Sequence, residues 1–221
     1  MASSALRWLA LTLLFWPLSG SAQDISPGTG SRHDRLVELR KLQEASDWEG
    51  ILRRVPSTQG PADECFYRGL ALSRLGRWEL ARQAFQAGAG KAPADPRFAR
   101  ELAGALFQLK QFQEAKHALR QSLRLDANDA YAQNFLGTLY FLEENIDAAL
   151  KYWNASQKPY IDRIAITPQP RLKADILDRA FAVAPASQLL EKDFQNTQAW
   201  LDHLGIFPAY RFELRGCLKI R

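Results

Sequence analysis

The chain has 221 residues, enough for one or two domains. Apolar residues make up 47% and charged residues 24% of it, which is the composition of an ordinary globular protein. The formal net charge is +5, but the positive charges are scattered among carboxylates rather than gathered on one stripe, so the sequence does not support a nucleic-acid binder.

Residues 1–22 have the pattern of a secretory signal. Arg7 supplies a positive charge, Trp8–Leu18 supplies an apolar core of 11 residues, and small residues precede a cleavage site between Ala22 and Gln23. The core is shorter than the roughly 20 apolar residues that span a bilayer. A cleaved signal is therefore favoured over the alternative of an uncleaved anchor. The sequence predicts an exported protein, periplasmic or secreted, with outer-membrane association as a further option.

Residues 23–32 are rich in Gly and Ser, and a flexible leader is expected there. Two helices are predicted next, at about 33–46 and 47–55, from apolar residues at helical spacing, namely Leu36, Leu39, Leu42, Ile51 and Leu52. This pair matches the repeat described below only in part, as expected of a hairpin that caps one end of a repeat array.

From Pro61 to about Ile161 the sequence repeats three times with a period of 34 residues. Five columns of one residue class fall in register: Gly69, Ala103 and Gly137; Leu72, Leu106 and Tyr140; Trp78, Phe112 and Ile146; Ala81, Ala115 and Ala149; and Phe85, Leu119 and Trp153. This period and order of positions predict stacked helical hairpins. The expected helix pairs are 62–75 with 78–91, 95–109 with 111–125, and 128–142 with 145–158. In each pair, the small residue of the first helix should let the large residue of the second helix approach closely.

At these columns the sequence resembles the tetratricopeptide repeat family, over about 100 residues. The resemblance implies a mainly α fold class, with a right-handed α-solenoid of about three and a half repeats at residues 33–158. It also implies a protein that binds other proteins and is not an enzyme. In this family the first helix of each hairpin lines a concave groove.

The resemblance further implies which residues face that groove, namely the second, fifth, ninth and twelfth of each repeat. They are Asp63, Phe66, Leu70 and Ser73; Arg97, Arg100, Gly104 and Phe107; and Tyr131, Asn134, Thr138 and Phe141. The 3–4–3 spacing keeps each set on one helix face.

Six of these residues are candidates for binding a partner. Arg97, Arg100 and Asn134 are expected to hold peptide backbone or a carboxylate. Apolar anchors are expected on Phe107, Tyr131 and Phe141. The alternative is that the two phenylalanines pack against the next hairpin and the arginines are only solvated. The carboxylate clamp of chaperone-binding relatives is not matched, because apolar residues of the first repeat, Phe66 and Leu70, stand where that clamp needs polar donors.

After Pro159 the period is lost, and residues 159–221 are expected to form a small α/β segment. Strands are predicted at 160–167, 210–214 and 217–220. Helices are predicted at Leu172–Phe181 and Leu190–Leu204, with Gly205 as a left-handed C-terminal residue. The order strand–helix–helix–strand resembles a POTRA module, which precedes many outer-membrane β-barrels. The alternative is a helical cap with one irregular hairpin.

No catalytic motif, cofactor motif or metal-ligand spacing is recognisable. We therefore expect no enzymatic activity, no cofactor and no small-molecule substrate. His117 is interpreted as a surface residue, and Glu143-Glu144 as a solvated turn. The sequon at Asn154 lies within a predicted helix, so glycosylation is not expected there. Cys65 should be a buried thiol, and a disulfide to Cys217 stays open as an alternative in an oxidising compartment.

The sequence therefore predicts an exported, non-enzymatic adaptor that binds a peptide segment or helix of a protein partner in its groove. The alternative is a component of outer-membrane assembly or secretion machinery, acting through the C-terminal segment on a β-barrel protein.

Overall fold

The computed structural model describes residues 29–156, 159–167, 176, 179–205, 207 and 209–214. Within these residues lie nine complete helices: α1 (Thr29–Glu44), α2 (Trp48–Arg54), α3 (Ala62–Arg74), α4 (Trp78–Lys91), α5 (Pro96–Gln108), α6 (Phe112–Leu125), α7 (Ala130–Leu142), α8 (Ile146–Ala155) and α9 (Glu191–Leu204). None of these described helices is long and apolar enough to cross a membrane. The signal-like segment 1–22 and the predicted strand 217–220 lie outside the described residues.

The helices α1 to α8 form four successive hairpins, and the three predicted repeats are the last three of them. The turn inside each repeat uses one residue with a left-handed backbone, at Gly76 (φ 72°), Lys110 (φ 63°) and Glu144 (φ 59°). These residues are spaced by the predicted period, although only the first is a glycine. The predicted helix bounds agree with the observed ones within a few residues, except that α1 begins at Thr29, inside the expected leader. Arg32 on this extra turn pairs with Asp63 of α3 at 3.7 Å.

Small residues on the first helix of a repeat receive large side chains from the second helix, as predicted. A Cβ built on Gly69 would lie 2.4 Å from Cε1 of Phe85, and one on Gly137 would lie 2.5 Å from Cδ1 of Trp153. These distances are below any normal carbon–carbon contact, so only glycine fits opposite either aromatic ring. In the middle repeat Ala103 carries a methyl group and shares its core cluster with a smaller partner, Leu119.

The same pairing of small with large joins one hairpin to the next. A Cβ on Gly88 of α4 would lie 2.1 Å from Cε1 of Phe98 on α5, which is 1% exposed. Leu52 packs on the core of the first hairpin and on that of the second, and Leu102 packs on the core of the second hairpin and on that of the third. The apolar core is therefore continuous along the stack. Burying each large side chain contributes roughly 1.5–3 kcal/mol, and no hairpin could bury both of its faces alone.

The C-terminal segment does not form the predicted strands where it is described. Residues 160–167 and 209–214 are irregular, apart from an isolated bridge between Tyr160 and Gln188. Their apolar side chains pack on α8 and α9 instead of pairing in a ladder, and Phe212 contacts Phe194 with ring centroids 4.8 Å apart. A strand needs a partner strand of similar length, and the described residues offer none. The α/β and POTRA-like interpretation is therefore not supported, and the segment packs as a helical cap.

The helix α9 holds this cap on the array. It agrees with the predicted helix, and Gly205 ends it with φ 61°. The amide of Asn154 on α8 bridges to it: Oδ1 accepts from the backbone N–H of Glu191 at 2.7 Å, and Nδ2 donates to the carbonyl of Leu189 at 2.9 Å. The sequon side chain is thus committed to a structural contact. Of the helix predicted at Leu172–Phe181, only residues 176 and 179–181 are described, and three of these four, Ile176, Arg179 and Ala180, are helical.

Candidate functional site

The first helices of the repeats lie on one side of the array and contact each other. α3 touches α5 directly, whereas α4 and α6, also fully described, make no comparable contact. Ion pairs cross between consecutive first helices, from Arg97 to Asp63 at 3.4 Å and from Arg100 to Asp129 at the start of α7 at 3.2 Å. We call this side the inner face and define it by the twelve predicted groove positions on α3, α5 and α7.

Arg97 is held by two carboxylates of its own chain. Its Nε lies 3.0 Å from both oxygens of Asp95, and its guanidinium reaches Asp63 of the previous repeat. The guanidinium also covers the ring of Phe66, 4.8 Å from the centroid. Asp95 is the N-cap of α5 and accepts from the backbone N–H of Arg97 at 3.0 Å. Side-chain hydrogen bonding from Arg97 lowers the pKa of Asp95 below its ordinary value.

Arg100 is also paired within the chain. It contacts Asp129 at 3.2 Å and Glu101 at 3.3 Å, and its guanidinium lies 5.9 Å from the ring of Tyr131. Burial acts to lower the pKa of Arg100, but the two carboxylates raise it overall. Asp129 caps α7 by accepting from the N–H of Ala132 at 3.0 Å, so its carboxylate is fixed from two sides.

Four aromatic side chains form a contiguous line across α5, α6 and α7. Ring centroids are separated by 5.5 Å between Phe112 and Phe107, 5.5 Å between Phe107 and Phe135, and 6.0 Å between Phe135 and Tyr131. Tyr131 is 59% exposed and Phe112 is 37% exposed, while the two rings between them are half-buried. We call this line the aromatic row. It combines two predicted candidates, Phe107 and Tyr131, with two residues that were not predicted.

The remaining candidates serve packing. The side-chain oxygen Oδ1 of Asn134 accepts from the hydroxyl of Ser156 at 2.6 Å, and the backbone carbonyl of Asn134 accepts from the indole N–H of Trp153 at 3.2 Å. Phe141 packs on Trp153 with centroids 5.4 Å apart. Phe107 packs partly against the next hairpin, as the alternative interpretation stated, but it remains part of the aromatic row.

Gly104 leaves a gap in the middle of the inner face. It follows Arg100 by four residues and precedes Phe107 by three, so it lies on the same face of α5 as both. A Cβ built on Gly104 meets no neighbouring atom within 4 Å. The tight packing that requires glycine at Gly69 and Gly137 is therefore absent here, and the gap is open.

The residues that contact Arg97, Arg100 and Tyr131 within the chain were not predicted from the sequence. Asp95 and Asp129 precede the two helices as N-cap residues, a signal that marks them as fixed carboxylates near the helix start. Phe135 follows Tyr131 at i+4, the spacing at which helical side chains touch.

Other predicted features of the described residues agree with their positions. His117 is exposed, and Cys65 is fully buried, whereas Cys217 lies outside the described residues. The two turn carboxylates are exposed, but each makes an ion pair, Glu143 with Lys116 and Glu144 with Arg211. In the part of the chain that the structure describes, no group of side chains has the composition of a metal site.

The pair between Asp95 and Arg97 predicts a pH-dependent stability. Asp95→Asn keeps a capping side chain but removes the charge that Arg97 binds. Because the pKa of Asp95 is lowered in the folded state, the carboxylate contributes stability above the ordinary aspartate pKa of about 4, and this is lost as the pH falls through the lowered value. The free energy of unfolding of the wild type should exceed that of the variant by up to roughly 1 kcal/mol at neutral pH, and the difference should shrink as the pH falls toward 2. Urea unfolding at neutral and acidic pH measures this difference. A difference that persists or grows in acid would contradict a stabilising ion pair between Asp95 and Arg97.

Comparison with known proteins supports the repeat assignment. A family model described as tetratricopeptide repeat matches residues 72–139. A search of curated protein sequences gave no significant match.

Several solved structures are similar to part of this chain. A MamA RS-1 double mutant is 17% identical, has a TM-score of 0.50, and covers 58% of this chain and 74% of its own. MamA from Desulfovibrio magneticus RS-1, from residue 41 to its end, is 18% identical with a TM-score of 0.49, and the match covers 55% of this chain and 71% of that protein. The TPR2B domain of yeast Sti1 in its pHsp70 complex is 25% identical with a TM-score of 0.42, and the match covers 43% of this chain and 77% of that domain.

The matched segment runs from the end of α3 to α7, and the hairpins that it joins share one turn geometry and one packing rule. Residues 72–139 of this chain therefore fold as helical repeats of the tetratricopeptide type, as the matching family model describes them.

Proposed function

We propose that this protein is a non-enzymatic adaptor that binds a peptide segment of a partner protein on its inner face. The observation that carries the proposal is the open gap at Gly104 beside the aromatic row, in which Tyr131 and Phe112 are exposed. Exposed aromatic side chains held in place by neighbours are the residues that most often anchor protein partners. The repeat family, which commonly recognises polypeptide, supports the same function.

The C-terminal segment supports this proposal in a structural role. Its Leu189 and Phe194 pack with Leu150 of α8, and so protect the end of the array from water. The alternative, an assembly or secretion component acting on a β-barrel through an α/β module, has no supporting observation, because the described part of the segment forms no strand ladder.

We also propose that the protein is exported, on the basis of the signal pattern in residues 1–22. Sequencing the N-terminus of the protein recovered from the cells that produce it tests this directly. We expect Gln23 as the first residue, and a chain that retains residues 1–22 would contradict cleavage.

Gly104→Trp should block the binding surface without unfolding the protein. The Cβ of the new side chain would meet no neighbouring atom, and the indole ring would cover the open gap on α5. Gly90→Trp is the matched control, because a Cβ on Gly90 of α4 likewise meets no neighbouring atom, but this glycine lies on the second helix of its hairpin. The full chain and both variants would be used to select from a phage library of random linear peptides.

Peptides recovered by the wild type should bind Gly90→Trp equally and lose at least about tenfold in affinity on Gly104→Trp, a loss of about 1.4 kcal/mol. Circular dichroism should show the same helix content for all three proteins. Equal binding to Gly104→Trp would place the binding surface elsewhere, and recovery of no specific peptide would contradict the proposed function itself.

A further inference from the structure

The arginines of the inner face are already neutralised by carboxylates of the same chain. Arg97 contacts Asp95 and Asp63, while Arg100 contacts Glu101 and Asp129. The four carboxylates outnumber the two guanidinium groups that they surround, even though Asp63 is shared with Arg32. An acidic ligand would therefore meet no excess of positive charge at these positions.

Displacing these internal partners would also cost free energy. The Asp129 side chain is only 9% exposed, and its position is fixed because it caps α7. A ligand carboxylate that captured Arg100 would leave Asp129 charged, poorly solvated and without its cation. The exchange of one carboxylate for another gains little, so the arginines are better suited to positioning the first helices than to holding an acidic ligand.

The surface next to these arginines is apolar and rigid. Tyr131 projects beyond the inner face, with the Arg100 guanidinium on one side and the Phe135 ring on another. Phe107 extends the same surface toward Phe112, and each ring is in contact with the next. Aromatic rings fixed in this way lose little conformational entropy when they bind, which favours them as anchors for apolar side chains.

The gap at Gly104 completes this surface. It lies between Arg100 and Phe107 along α5, and the aromatic row passes from α5 to α7 beside it. Because Gly104 presents no side chain, a side chain from a ligand can approach the helix backbone there.

Resting on the proposed function, we infer that the occupant of the inner face is an extended segment of a partner protein that is uncharged where it contacts the face. An aromatic or aliphatic side chain of the segment enters the gap at Gly104 and packs on the aromatic row. Arg97 and Arg100 orient the face through their internal carboxylates and form no ion pair with the segment.

The composition and salt dependence of selected peptides test this inference. The probes are the peptides recovered by the full chain from the random library, synthesised with blocked ends and a fluorescent label. We expect enrichment of Phe, Tyr, Trp, Leu, Ile or Val without enrichment of Asp or Glu. Affinity measured by fluorescence anisotropy should change less than about threefold between 50 and 500 mM NaCl, because ion pairs with the ligand would be screened over that range.

Two substitutions locate the anchor. Tyr131→Ala and Phe112→Ala should each weaken binding by about tenfold or more, as truncation of an aromatic anchor does. Trp200→Ala is the matched control, since Trp200 is 50% exposed on α9 and lies outside the inner face. The control should bind like the wild type.

The inference and the proposed function fail differently. Peptides rich in Asp or Glu, with binding that falls tenfold or more in salt but still depends on Gly104, would overturn the inference and leave the adaptor function standing. Loss of binding in Trp200→Ala with none in Tyr131→Ala would overturn the inference by placing the site at the C-terminal cap. Failure to recover any specific peptide would overturn both.

Discussion

The structure depends on the fit of a large side chain from one helix into a space left by a small residue on its neighbour. Phe85 lies against Gly69, and Trp153 lies against Gly137, at distances that exclude a single additional methyl group. Close packing of this kind fixes the separation and angle of two helices more firmly than general apolar contact does, because the rings cannot shift without leaving a cavity or a clash. The same fit between Gly88 and Phe98 transmits the arrangement to the next hairpin.

This packing determines which groups of the inner face remain available to bind a ligand. Within each hairpin the second helix supplies the large side chain, and the first helices contact each other to form a continuous inner face. Most polar groups on that face are used to hold the helices together, including both arginines and the amide oxygen of Asn134. What remains available is the gap at Gly104 and the exposed part of the aromatic row. A glycine thus has opposite roles at two positions of the repeat, closing the core at Gly69 and leaving the surface open at Gly104.

The repeat region and the helix α9 could be predicted well from the sequence, whereas the irregular structure of residues 160–167 and 210–214 could not. A period of 34 residues is a long-range signal, since each column is observed three times, and it indicated the helices and the small-to-large contacts correctly. The alternation in Tyr210–Leu214 is a single short pattern, and the same alternation can serve packing on a helix, as Phe212 shows. For the inner face, the family resemblance proposed the positions and their spacing placed each set on one helix face, but neither could show that N-cap carboxylates would neutralise Arg97 and Arg100. That outcome depends on the distances between helices, which only the fold provides.

The most direct measurement transplants the side-chain pair of the second repeat into the first. Gly69→Ala alone should destabilise the protein by about 1–3 kcal/mol through overpacking, and Phe85→Leu alone should destabilise it by leaving a cavity. The double variant recreates the pair of Ala103 and Leu119, so the account predicts a loss clearly smaller than the sum of the two single losses in urea unfolding. Additive losses would contradict the claim that the fit of this pair determines how the helices stack.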